Sequence, residues 1–139
     1  MDEADKGYLA ALLDGEGSVM MDRLKSGNFD LRVSIGMTDP TAIIWGHNLT
    51  GLGSINFNQR DRRKGMFHNH SNFHRWTMSC RHGVEFLKLV MPYLKVKDKQ
   101  AKLYLEAMEI RNKSGKREEK RKAQETIYAN MKVLNSRGA

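Results

Sequence analysis

A chain of 139 residues, 40% hydrophobic and 29% charged, is long enough for one core and too short for two domains of ordinary size. Its 24 Lys and Arg against 16 Asp and Glu leave a net charge of +8, which points to a polyanionic partner; no apolar run approaches the roughly 20 residues of a membrane span. The single cysteine, Cys80, excludes an internal disulfide and the paired cysteines of a zinc finger, and the acidic N-terminus is unlike a secretion signal, so the expectation is a soluble, intracellular protein without a membrane partner.

The first element is a helix. Asp2, Glu3 and Asp5 suit the positive end of its dipole, Tyr8, Leu9, Leu12 and Leu13 supply apolar side chains, and Gly7 and Ala11 stand one above the other, so that a second helix can approach that face closely. Gly15 and Gly17 are expected to end it through the left-handed conformations open to glycine. Its last turn carries Asp14 and Glu16, two carboxylates at the negative end of a dipole. That placement is unfavourable by about 0.3 to 1 kcal/mol each unless a cation compensates, and a hard divalent metal with oxygen ligands would do so.

Residues 18 to 25 read as a first strand, Ser26-Gly27-Asn28 as a turn, and 29 to 37 as a second strand in which Leu31, Val33, Ile35 and Met37 alternate with Arg32, Ser34 and Gly36. Thr38-Asp39-Pro40 has the chemistry of a helix start, and a short helix runs to about Asn48. A third strand covers 54 to 60 with Ile55 and Phe57 inward, and a fourth covers about 72 to 80, where Trp76, Met78 and Cys80 oppose Arg75, Thr77 and Ser79. Helices at about 82 to 91, 97 to 112 and 118 to 135 follow, with Pro92 and Ser114-Gly115 as breaks. The order predicts an α+β domain in which helices cover one face of an antiparallel sheet.

The opposite face would then show Asp30, Arg32, Ser34, Asn56, Asn58, Arg60, Arg75 and Thr77, with Asp22 from the first strand. Guanidinium and carboxamide groups read guanine and adenine edges in the major groove. The alternative is an ordinary solvated sheet face. From Arg60 to His82 the chain carries six basic residues, one acid and four histidines, and Arg62, Arg63 and Lys64 read as a loop that neutralises phosphates without reading sequence. The adjacent His68-Asn69-His70 cannot converge on one ion and are taken as surface residues.

Leu9-Ala10-Ala11-Leu12-Leu13-Asp14-Gly15-Glu16-Gly17 resembles the signature of the LAGLIDADG homing endonucleases. Leu9, Ala10, Leu12, Asp14 and Gly17 match outright, with Leu13, Gly15 and Glu16 as close replacements and Ala11 where the pattern has glycine. Pro92 to Ala101 resembles the stretch that brings a lysine to the family's active site. The resemblance implies an αββαββα core over about residues 5 to 112, with a saddle-shaped DNA-binding sheet and further C-terminal helices, all within one domain. One copy of the motif implies a homodimer whose interface is built from Gly7, Tyr8, Ala10, Ala11 and Asp14. It also implies Glu16 and the Gly15 carbonyl as ligands of Mg2+, with Mn2+ able to substitute and Ca2+ binding without supporting cleavage. Lys97 would stabilise charge and Asp39 position the attacking water, while Ile43 stands where some members hold an arginine.

The function so implied is site-specific cleavage of both strands of a long, near-palindromic DNA site. Two alternatives stay open on the same scaffold, an RNA-binding intron maturase and a DNA-binding regulator that does not cut. A third is a nonspecific basic structural protein.

Overall fold

The computed structural model describes residues 1–58 and 73–136. The chain runs α1 (Glu3–Glu16), β1 (Gly17–Arg23), β2 (Phe29–Met37), α2 (Thr41–Thr50), β3 (Ser54–Asn58), β4 (Phe73–Ser79), α3 (Arg81–Val90), a 3-10 turn (Met91–Tyr93), α4 (Asp98–Asn112) and α5 (Arg117–Ser136). The four strands form one antiparallel sheet in the order β1-β2-β4-β3. Strand ends fall within two residues of the sequence expectation; residues 59 and 60 of the expected third strand lie outside the described residues.

Alternation settles which face of the sheet is covered. Val19, Met21, Leu31, Val33, Ile35, Trp76 and Met78 are all buried and belong to one hydrophobic cluster with Leu9, Leu13, Ile43, Phe86, Leu87, Ala101 and Tyr104 from the helices. Trp76 anchors this layer, with its indole N–H donating to the Leu52 carbonyl at 2.8 Å and its ring edge-on to Phe86. The Tyr104 hydroxyl reaches the carbonyls of Leu31 and Cys80, at 3.2 and 2.9 Å, and burial pushes its pKa well above the ordinary tyrosine range. α5 packs through Ile127 and Met131, and the Asn135 amide donates to the Val19 carbonyl at 3.0 Å.

Three expectations need correction. Phe57 shares the inward register with Ile55 but is 52% exposed, because the helical layer does not extend over the free end of edge strand β3; its ring lies instead against His74. Cys80 is not a strand residue: it sits between β4 and α3 with φ of 49°, and its sulfur receives a hydrogen bond from Arg111 Nη1. Gly17 ends α1 in an extended conformation, φ −112° and ψ 179°, not a left-handed one. What requires glycine there is space. A Cβ at Gly17 would stand 2.7 Å from Leu13 Cδ1 and 2.9 Å from the Ser34 carbonyl oxygen, since the chain turns from helix into sheet against β2.

Gly17→Ala is therefore expected to destabilise the fold by about 1 to 3 kcal/mol through overpacking, measured as a lower urea midpoint at unchanged m-value.

Candidate functional site

α1 begins with a capping box in which Asp2 accepts from the Asp5 amide at 2.8 Å and Asp5 accepts from the Asp2 amide at 3.2 Å. Its other end is built less conventionally. The last turn has no basic residue and two acids. The Asp14 carboxylate is taken up by three consecutive backbone N–H groups, those of Lys95, Val96 and Lys97, at 2.7, 3.2 and 2.9 Å. Lys97 answers by donating from Nζ to the Asp14 carbonyl oxygen at 2.8 Å. The cation missing from the helix end in sequence is thus supplied across space, at the place where the dipole and a terminal carbonyl both favour it.

Glu16 closes the helix, exposed, and makes no hydrogen bond or ion pair among the described residues. Asp14, Glu16 and Lys97 are therefore brought together at one turn, with Asp14 holding the loop and Glu16 free. Asp39 is placed differently. Its carboxylate accepts from Thr41 Oγ1 at 2.7 Å and the Thr41 amide at 3.0 Å, which holds its pKa below the ordinary value of 3.8, with His74 adding to the effect. It lines a cavity of about 620 Å³ with Asp5, Tyr8, Met37 and Trp45, and has no hydrogen bond to Asp14, Glu16 or Lys97. Ile43 is fully buried, so the position of the missing arginine belongs to the core.

On the uncovered sheet face, Arg32 lies between two acids, Nη2 at 2.6 Å from Asp22 and Nε at 3.4 Å from Asp30. Asp22 and Asp30 are direct cross-strand partners, and Arg32 is next in register on β2. Arg75 is oriented from two sides: Nη1 donates to Ser34 Oγ at 2.9 Å and the guanidinium stacks over Phe73. Phe73 in turn lies across Gly36, where a Cβ would come within 2.4 Å of its ring.

Ser34 is accordingly only 2% exposed and buttresses Arg75, a correction to its reading as a base-contacting hydroxyl. Thr77 is half-buried and Asn56 exposed, in register with Ser54 and Arg75 respectively, and Asn58 sits in register with Phe73. Arg60, Arg62, Arg63 and Lys64 lie outside the described residues. Met20, in register with Arg32, shares this face, as does Phe73. Residue type alone consigns both to the core, although period-two counting places them here.

Of the residues expected at a helix interface, Ala10 is fully buried within the chain and cannot belong to it. Tyr8 and Ala11 are exposed, Gly7 is half-exposed, and a Cβ at Gly7 or Gly15 would meet nothing within 4 Å. Tyr8 leans edge-on against Trp45, with ring centroids 5.2 Å apart. Asp14 is half-buried and committed to the Lys95–Lys97 loop.

Fold and site define an α+β protein with one polar sheet face and, in the last turn of its first helix, a carboxylate without a partner among the described residues and a carbonyl that holds a lysine. Several solved structures with this architecture are homing endonucleases. I-CvuI in complex with its target, in the presence of 2 mM Ca, is similar at a TM-score of 0.74 and 15% identity over 96% of this chain and 85% of that one. The archaeal intron-encoded I-Vdi141I complexed with DNA gives 0.73 and 14%, over 96% and 86%. I-SmaMI, a LAGLIDADG homing endonuclease bound to cleaved DNA, gives 0.64 and 15% over 91% of this chain but 43% of its own length. No family model and no curated protein matches the chain by sequence. The chain has the LAGLIDADG homing endonuclease fold.

Because the Thr41 hydrogen bonds favour the ionised form of Asp39, its carboxyl should titrate below 3.8 by NMR. The native-state contribution is present above the unfolded value and is lost as pH falls through the folded one. Thr41→Val, which removes the hydroxyl and keeps the amide, should move the midpoint upward; an unchanged midpoint would contradict the assignment.

Proposed function

We propose that this chain is a LAGLIDADG-type endonuclease that binds a long, near-palindromic duplex as a homodimer and hydrolyses both strands with a divalent metal. The observation that carries the reading is the Lys97 ammonium fixed on the last turn of the helix that ends in a free Glu16. A pure binder gains nothing from an exposed acid where a phosphate would approach.

The donor set suits a hard cation. Glu16 offers an unengaged carboxylate, and the Gly15 carbonyl belongs to the last helical turn, where carbonyls lack intrahelical partners. Among the described residues no group of three or more His, Cys, Asp or Glu is gathered as a metal site. The set fits Mg2+, which keeps several waters and uses one or two carboxylates, better than an ion needing a full protein cage. Bound there, such an ion would lower the pKa of a coordinated water and neutralise charge on a phosphate. Mn2+ is expected to substitute and Ca2+ to bind without supporting cleavage.

Each copy supplies one Glu16, and a second copy would supply the other acid. The half-exposed Gly7 and the exposed Ala11 and Tyr8, along the flank of α1 that its own chain leaves open, support pairing of two first helices. In the reaction Lys97 would hold positive charge toward the phosphate as the trigonal bipyramid forms; Asp39 lines its cavity with Asp5 and Tyr8, away from the Glu16 end of α1, so the water-positioning role expected of it does not carry over. Asp22, Asp30, Arg32, Arg75, Thr77, Asn56 and Asn58 would face the duplex. Arg32 and Arg75, held in place before binding, suit direct readout of base edges.

Purified protein incubated with a randomised duplex library should cut one recurring near-palindromic site in magnesium and none in calcium. Glu16→Gln should lose about 10²- to 10³-fold in cutting rate, and Lys97→Met about 10²-fold, as removal of a preorganised charge-stabilising group does. Selective binding without cuts in any metal would instead support the regulator or, with RNA bound in preference, the maturase.

A further inference from the structure

We propose a second, separate phosphate site at the far end of β1 from Glu16, formed where the turn between β1 and β2 meets α4 and the first two turns of α5. The site takes a backbone phosphate of duplex DNA outside the stretch read by the sheet face. The inference rests on the DNA-binding reading above and extends it to residues that reading does not use.

A cavity of about 330 Å³ opens there, lined by Gly27, Asn28, Arg111, Arg117, Lys120, Arg121 and Gln124. Four of these seven carry positive charge, and among the described residues none of the four is within salt-bridge distance of a carboxylate. The ion pairs nearby involve other residues, Arg23 with Glu125 and Lys113 with Glu109. Glu118 lines the adjoining hollow with Arg117 and Arg121, and Glu118 and Glu119 are the acids nearest in sequence, neither within salt-bridge distance of the four. Four such cations around one concavity repel one another unless an anion is bound.

The floor and the turn are held in place before any ligand arrives. Arg111 is anchored at the floor, Nη2 on the Phe29 carbonyl and Nη1 on Cys80 Sγ. The turn is closed by the Leu24 amide on the Asn28 carbonyl and the Gly27 amide on the Leu24 carbonyl, at 2.8 and 2.9 Å. Gly27 has φ of 89°, and a Cβ there would stand 2.7 Å from Arg121 Nη2, so the glycine leaves room for the guanidinium against the turn.

A nucleic-acid backbone is favoured over a small anion by position and by charge. The turn leads directly out of the Asp22–Asp30 register, so a duplex lying along the polar face runs toward it. On that face Asp22 and Asp30 offset Arg32 and Arg75. The described part of the face is therefore suited to reading bases, and cations that neutralise phosphate are found at this cavity instead.

The test compares Arg117→Gln/Arg121→Gln with the control Lys99→Gln/Lys102→Gln. Both remove two positive charges, the control on another part of α4. Binding to a long random-sequence duplex is followed by anisotropy across a salt series. The arginine variant should flatten the slope of log K against log salt by about 1 per bound chain relative to wild type, for the one phosphate no longer neutralised, while the control moves it less. Equal slopes for the two variants would overturn the site while leaving DNA binding intact. No duplex binding by wild type would overturn the site and the DNA reading together. A slope change seen with RNA hairpins and not with duplex DNA would overturn the DNA assignment and give the site to RNA. Protection of wild type but not the arginine variant by inorganic phosphate in thermal melts, with DNA slopes unchanged, would make it a small-anion site and overturn the proposal. Circular dichroism and the melts themselves verify that both variants are folded.

Discussion

The Asp14 carboxylate accepts hydrogen bonds from three backbone amides 81 to 83 residues downstream, and the rest of the site depends on that clamp. It fixes the loop before α4, hence the Lys97 backbone, hence the ammonium that returns to the Asp14 carbonyl. Charge-assisted bonds of this kind are worth about 1.5 to 3 kcal/mol each when well sheltered, and less where solvent reaches them as it does here. Their importance is positional. The helix end would otherwise combine two acids with unsatisfied carbonyls, and the crossed bonds convert that liability into a fixed carboxylate, a fixed cation and one free acid. Because Asp14 is consumed, Glu16 is the acid of this helix end left without a partner among the described residues. Under the proposed function, a chemistry that needs two carboxylates would draw the second from another copy of the chain.

The sheet supplies a second kind of order. Its covered face is apolar and packed around Trp76, while the open face carries side chains already engaged with one another: Arg32 between Asp22 and Asp30, Arg75 between Ser34 and Phe73. Preorganised guanidinium groups lose less rotamer entropy on meeting a base edge. The same pairing leaves little net positive charge on the described face, so the excess of +8 must act elsewhere. Part of it is gathered at the junction of the β1–β2 turn with α4 and α5. Under the proposed function, base readers on the sheet and phosphate holders at this junction would let specificity and salt-dependent affinity be set by different residues.

Much of this architecture is legible in the sequence because it rests on local rules. Period-two alternation in 29–37 and 73–79 identifies the buried face, Ser26-Gly27-Asn28 the turn, and Pro92 the break before α4. The pairing of the nine-residue motif with the Lys97 segment points to one site. What is not legible is long-range. No local rule shows that Asp14 caps a loop more than eighty residues away, that Ser34 is roofed by Arg75, or that Gly17 is chosen for contact with β2 instead of for its φ. Small size suggests an interface for Ala10, yet its helical phase places it in the core. Aromatic type suggests the core for Phe57, yet an edge strand's free end has nothing above it. Both errors arise because residue type reports preference, whereas burial depends on which partner the fold brings near.

Whether two chains share one cutting site through their Glu16 residues is read most directly from mixtures. Wild-type protein is combined with Glu16→Gln at constant total concentration, and double-strand cutting of the selected site is followed as the ratio changes. If subunits exchange freely and both acids are needed, double-strand cuts fall with the square of the wild-type fraction, and nicked product from mixed dimers does not make up the loss. Nicked duplex accumulating at intermediate ratios in proportion to the mixed dimers would show that each chain cuts one strand with its own Glu16 and would contradict the shared site.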